Sequence, residues 1–336
     1  MNRFNASLCN IFGVFFVGAF ALSGPLLEAK EKEQPTVQDH HSSLQHALQK
    51  KEYKLVIEAG KAILAIAPQS PFAAETTYTI GVAYFNLNDF DLANTYFSTF
   101  LEKYATPEFF EQAVEYKYKI AEEFETGSGR HMFGVESLPK WVSAWDDAFA
   151  LYEEIIKTLP NHEVAARAMF RKAVMQYTEK KTKEALDTYR TITRRFPKHP
   201  LAPESYLAIA KIYHDHSLND YPDKDFLEQA RLNVKRFRKD FPSEERLIVA
   251  QSLLVEMQDA FAKDLWVSAQ YYEKKKNLDA ARLYLEKIAR LYPESSYAKD
   301  AIAKLTILDG EMTTVKQNVE EELENVKDVN DQKFEM

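Results

Sequence analysis

One spacing recurs along this chain and limits what it can fold into. A small residue is followed after four positions by a bulky one, after three more by another, and after five more by proline. Ala281, Leu285, Ile288 and Pro293 show it, and so do Ala185, Tyr189, Ile192 and Pro197. Ala148, Tyr152, Ile155, Pro160 and Ala230, Val234, Phe237, Pro242 repeat it. Ala93, Phe97 and Phe100 follow it, with the proline two residues late at Pro107. Val56, Gly60, Ile63 and Pro68 form a degenerate first copy. Gaps of four and three put all three side chains on one face of a helix. Proline closes that helix, because it lacks an amide hydrogen and clashes with the preceding turn.

A second helix precedes each of these. Gly81 and Tyr84 stand ahead of Ala93, Ala210 and Tyr213 ahead of Ala230, and Ala269 and Tyr272 ahead of Ala281. The fourth copy has Ala173, with Gln176 where the others have an aromatic residue. A small residue and an aromatic on the first helix, then this spacing on the second, are the signature of the tetratricopeptide repeat. The expected fold is all-α: a right-handed solenoid of about five to six helix pairs with a C-terminal capping helix over 295–308. The poverty of glycine, 9 residues in 336, suits it. So does the 13% of aromatic residues, expected as packing between helices.

Residues 1–29 have the pattern of an export signal, with Arg3 ahead of an apolar run of 12 residues from Ile11 to Leu22. Ser23-Gly24-Pro25 breaks the run, which is too short to span a bilayer. The only cysteine, Cys9, lies ahead of it, so cleavage would leave a chain without thiols. Residues 30–38 are expected as a flexible leader, 39–310 as the solenoid, and 311–336 as an acidic tail.

Two insertions interrupt the repeat. Phe124 lies 24 residues before Ala148, against nine between Tyr84 and Ala93, so residues 125–142 form an added loop. It holds Phe133, Leu138 and Trp141, which a solvated loop would not favour. It either folds back on its own repeat or meets a partner. A shorter insertion, His214 to Asp225, is expected as a polar loop with two histidines. No third ligand of suitable spacing joins them, so no metal is expected. Nor does the chain contain a phosphate loop, a His-Glu-x-x-His pair or a nucleophile elbow, so neither a cofactor nor catalysis is expected. The net charge of −8 argues against general nucleic-acid binding.

The last unit carries a more specific likeness. Phe261-Ala262-Lys263-Asp264, Val267, Tyr271-Tyr272, Asn277-Leu278-Asp279-Ala280-Ala281 and Tyr292-Pro293 resemble the closing repeat of the outer-membrane assembly lipoproteins of the BamD (ComL/YfiO) family. Phe133-Gly134-Val135 resembles an element in that family's interrupted third repeat. Pro25 stands where the family's lipidated cysteine is expected, Ala67 replaces an aromatic residue, and Tyr284 replaces a basic one. The resemblance implies a periplasmic adaptor at the inner face of the outer membrane, attached through its partner. C-terminal repeats would hold the periplasmic domains of the barrel insertase, and N-terminal repeats would receive unfolded outer-membrane proteins. Phe133, Trp141, Asp264, Tyr271 and Tyr284 are the partner-binding candidates. The competing expectation is a periplasmic scaffold for cell-wall or division proteins.

Overall fold

The computed structural model describes residues 35–104, 107–219 and 224–310. The export signal, Cys9 and the acidic tail lie outside these residues. Six antiparallel helix pairs follow one another: α1 (Val37–Gln49) with α2 (Tyr53–Ile66), α3 (Ala73–Asn86) with α4 (Phe90–Lys103), and α5 (Pro107–Glu125) with α6 (Trp145–Thr158). Then come α7 (Glu163–Thr178) with α8 (Thr182–Arg195), α9 (Leu201–Asn219) with α10 (Lys224–Asp240), and α11 (Arg246–Lys274) with α12 (Leu278–Leu291). A last helix, α13, covers 296–310. No strand occurs among the described residues, and the fold is a tetratricopeptide solenoid.

The small-bulky-bulky triads all point into it. Val56, Gly60 and Ile63, Ala93, Phe97 and Phe100, Ala148, Tyr152 and Ile155 are buried. So are Ala185, Tyr189 and Ile192, Ala230, Val234 and Phe237, Ala281, Leu285 and Ile288. The small member lets helices approach. A Cβ on Gly60 would meet Ile80 at 2.7 Å, and one on Gly81 would meet the Phe97 ring at 2.9 Å. The aromatic excess is packing: Tyr84, Tyr152, Tyr213, Phe97, Phe100, Phe124 and Phe237 are among the largest fully buried side chains.

The prolines work as the spacing predicts. Pro68, Pro160, Pro197 and Pro293 each follow the C-cap residue of a second helix. Pro107 instead opens α5, where its missing amide hydrogen costs nothing.

From the second unit onward, the first helices of neighbouring units touch one another, and the second helices do not to a comparable extent. First helices therefore line the inside of the curve and second helices its outside. Ion pairs bind the inner helices, with Arg171 on Glu125 at 2.8 Å and Arg246 on Glu204 at 2.8 Å.

Three boundaries differ from expectation. Helix α1 begins at Val37 behind a capping box of Thr36 and Asp39, so it takes in the end of the expected leader. The last helix takes in Gly310, two residues past the expected capping helix over 295–308. The expected polar loop at His214 is instead helix, since α9 runs on to Asn219. Interhelical bonds favour the extension: His214 Nε2 lies 2.7 Å from Glu256 on α11, and His216 Nε2 lies 3.1 Å from Thr182.

Candidate functional site

The five candidate residues fall in two parts of the solenoid. Asp264 and Tyr271 share a face of α11, two turns apart, with the exposed Val267 between them. Tyr271 is 56% exposed and meets the Tyr272 ring edge-on, with centroids 5.3 Å apart. Tyr272 stacks on Tyr284 of α12 at 5.5 Å. Lys275 lies 5.9 Å from the Tyr271 ring and Lys287 lies 5.2 Å from that of Tyr284. Asp264, Tyr271 and Tyr284 thus form one surface, an aromatic step flanked by cations and one carboxylate. Trp266 is turned away, packing at 5.9 Å on Tyr297 of α13.

Phe133 and Trp141 belong to the third unit, three repeats away. The insertion folds back on the solenoid, and only its base rests on its own repeat. It docks mainly on the two preceding ones. Arg130 and Val142 pair as an antiparallel bridge, with Arg130 N–H donating to Val142 O at 2.9 Å. Gly129 is required there, since a Cβ would lie 2.5 Å from the Lys140 carbonyl oxygen. His131 is buried, and its amide donates to Asp91 Oδ2 at 3.0 Å while its Nδ1 lies 2.8 Å from the same oxygen. Burial alone would push the Asp91 carboxyl up, but these bonds and the Leu92 amide hold it below the usual carboxylate value. Lys140 donates to Asn88 O at 2.6 Å and pairs with Asp89.

Further along, Tyr84 OH donates to Glu136 Oε2 at 3.2 Å, and Lys61 Nζ lies 3.3 Å from the same carboxylate. Arg130 closes the base on Asp147, with Nε at 2.9 Å. The loop thus ties units one, two and three together and holds Trp141 out, 79% exposed, with Val135 and Leu138 also exposed. The backbone of Phe133 lies in a 3₁₀ turn, Met132–Gly134.

This anchoring was missed in the sequence. Lys61, Tyr84, Asp89, Asp91 and Glu136 are ordinary helix or loop residues until the fold brings them together. The one hint was polar: the loop supplies Arg130, His131 and Lys140 near acids at the start of α4.

Among the described residues, no group of three or more His, Cys, Asp or Glu is placed to hold a metal ion. Among them, too, no helix is long and apolar enough to cross a membrane.

Residues 162–322 match the family model described as outer membrane lipoprotein (YfiO), and residues 75–106 match the tetratricopeptide repeat model. The first match takes in α7 to α13, and the second α3 and α4. No curated protein matches the chain. Among solved structures, the MamA protein is similar at 14% identity with a TM-score of 0.36, over 61% of this chain and 91% of that one. A tetratricopeptide repeat protein from Parabacteroides merdae is 12% identical with a TM-score of 0.37, over 81% and 98%. A Rap protein complexed with competence and sporulation factor is 14% identical with a TM-score of 0.30, over 83% and 76%.

Proposed function

We propose that this protein is a non-catalytic adaptor of the outer-membrane β-barrel assembly machinery, working at the periplasmic face of the outer membrane. The single observation that carries the reading is the match of residues 162–322 to an outer membrane lipoprotein model. It falls on the units that bear the surface of exposed Asp264 and Tyr271 and half-buried Tyr284. A solenoid of stacked helix pairs offers long, rigid faces to other proteins, and its binding energy comes from surface complementarity.

In this reading the α11–α12 surface holds a periplasmic domain of the barrel insertase. Tyr271 supplies a rigid aromatic anchor and Asp264 a rim charge that sets orientation. The first units receive unfolded barrel proteins, and the Trp141 loop is the contact nearest to them. Attachment to the membrane is peripheral and runs through the partner.

The test is cross-linking and co-purification from cell envelopes. The tagged chain brings down the barrel insertase, and Tyr271→Ala with Asp264→Lys lowers the yield at least fivefold. Depletion lowers outer-membrane barrel levels before septation changes. Absence of the insertase, or early septation defects with normal barrels, overturns the adaptor reading. The second of these outcomes supports a cell-wall or division scaffold.

A further inference from the structure

The chain is acidic overall, yet two helices on its outer side, α8 and α10, are basic. Helix α10 sets six bases against three acids, and α8 sets four against two. These helices border two grooves. The first, about 640 Å³, lies between α8 and α10 with α9 as its floor. Arg190 and Arg194 stand on one wall, Arg236 on the other, and Tyr206 and Tyr213 form the base. Burial and the Asp240 hydrogen bond at 2.7 Å push the Tyr206 phenol up to about 12, so it stays a neutral donor. The second groove, about 440 Å³, lies between α10 and α12 over α11. Lys235, Arg238 and Arg290 line it beside Leu291.

Lys235, Arg236 and Arg290 have no ion-pair partner among the described residues. Leu232, 46% exposed, stands on the α10 ridge between the grooves.

The protein itself shows what such a groove accepts. At the head of the corresponding groove, between α4 and α6, the 126–144 insertion is seated. There the helices supply acids, Asp91 and Asp147, and the inserted segment supplies the cations, His131 and Arg130. In the two grooves beside α10 the signs are reversed, and no described segment enters.

The geometry points to an occupant of opposite charge: an acidic, amphipathic segment of a partner protein, laid across α10 between α8 and α12. Arginine's planar fork pairs carboxylates two bonds at a time, which suits glutamates at helical spacing. Leu232 and Leu291 give such a segment apolar footholds. A sheet of lipid phosphates fits less well. Asp187, Asp240 and Glu294 sit among the bases on the same walls, where a uniform anionic plane would meet them. A side-chain pattern can avoid them. This surface lies on the outside of the curve and is separate from the α11–α12 aromatic surface, so the inference does not rest on the adaptor reading.

The experiment uses the full chain and a labelled 20-residue amphipathic helix peptide with glutamates at i, i+4 spacing, read by fluorescence anisotropy. Wild type binds it, and affinity falls at least threefold between about 50 and 200 mM salt, as screened charge pairs require. Lys235→Glu, Arg236→Glu and Arg290→Glu together weaken binding at least tenfold, and circular dichroism shows an unchanged melt. Lys119→Glu, on an exposed turn of α5, leaves it unchanged. The same peptide with its sequence scrambled binds at least fivefold more weakly. Equal binding of the scrambled peptide, an unaffected triple variant, or displacement of the peptide by anionic phospholipid vesicles overturns the proposal.

Discussion

Asp91 carries much of the insertion's docking, because one carboxylate accepts from both the amide and the ring of His131. Its folded pKa lies below the ordinary value, so its contribution is complete above about pH 4 and is lost as pH falls through the folded value. Asp91→Asn should cost about 1–2 kcal/mol at neutral pH, since buried donors lose a charged acceptor. That difference from wild type should shrink below about pH 4. Acid-dependent melts of the two proteins check it; a constant gap would mean that Asp91 is not the titrating group. Gly129→Ala strikes the same loop through sterics, since its Cβ would overlap the Lys140 carbonyl. Faster amide exchange over 128–142 with an intact solenoid is the expected result. The short turns between paired helices hold a different strain. Lys51, Asn88, Lys180 and Lys276 occupy the same turn position in units one, two, four and six, all with φ near +60°: 58°, 58°, 61° and 59°. A lysine there costs about 1–2 kcal/mol, and glycine removes that cost while adding about 0.5–1 kcal/mol of unfolded-chain entropy. Lys180→Gly should therefore raise stability by about 0.5–1 kcal/mol, measured as a higher denaturation midpoint.

Within an element the small residues decide spacing. Ala281 is fully buried on α12, against its neighbours in the last unit, so Ala281→Trp should destabilise that unit by about 1–3 kcal/mol or more through overpacking. Wild-type melting of that variant would mean the α12 face is wrongly assigned. Helix α5 tests the opposite case. Lys117 is 1% exposed, yet its Nζ meets Ser98 Oγ and Glu154 Oε1, both at 2.6 Å, which ties α4, α5 and α6 together. Burial pushes this ammonium down, and Glu154 recovers only part of the loss. Lys117→Met should then be close to neutral, and Glu154→Ala should cost about 1–3 kcal/mol by leaving the ammonium unpaired. The helices were legible in the sequence for the reason Ala281 is sensitive: each triad must fill the same interhelical space, so one spacing repeats. Gly310 and His214 were not legible. A glycine or a polar stretch ends a helix only when no tertiary contact extends it, and the His214–Glu256 bond does so across 42 residues of chain. The loop's seat was hidden for a similar reason, because its partners come from four helices with no fixed sequence interval. Of the candidate site, Tyr271 and Asp264 emerged exposed on one face because i and i+7 spacing can be read directly.

At the scale of the molecule, the apolar interior is two clusters that meet on α7. Val164, Ala168 and Met175 face the first, which runs back to Leu44, and Met169 and Ala173 face the second, which runs on to Leu308. Stability in such an array is a sum of unit and neighbour terms, so damage at one end travels only as far as the interfaces are weak. Two features strengthen the N-terminal cluster against that spread. The insertion ties units one to three, and Lys117 binds three helices at once. Among the described residues the C-terminal cluster has no such strap, though Arg246 joins α9 to α11 through Glu204 and Lys304 joins α13 to α11 through Glu273 at 2.5 Å. Ala281→Trp should therefore split unfolding into two steps. Amides in α9 to α13 should lose protection first, while those in α1 to α6 keep wild-type exchange, and α7 should behave as the boundary. Hydrogen exchange with mass readout along a denaturant series would resolve this. A single cooperative transition covering both halves would show that α7 couples the clusters more strongly than packing on its two faces implies, and that the solenoid unfolds as one unit.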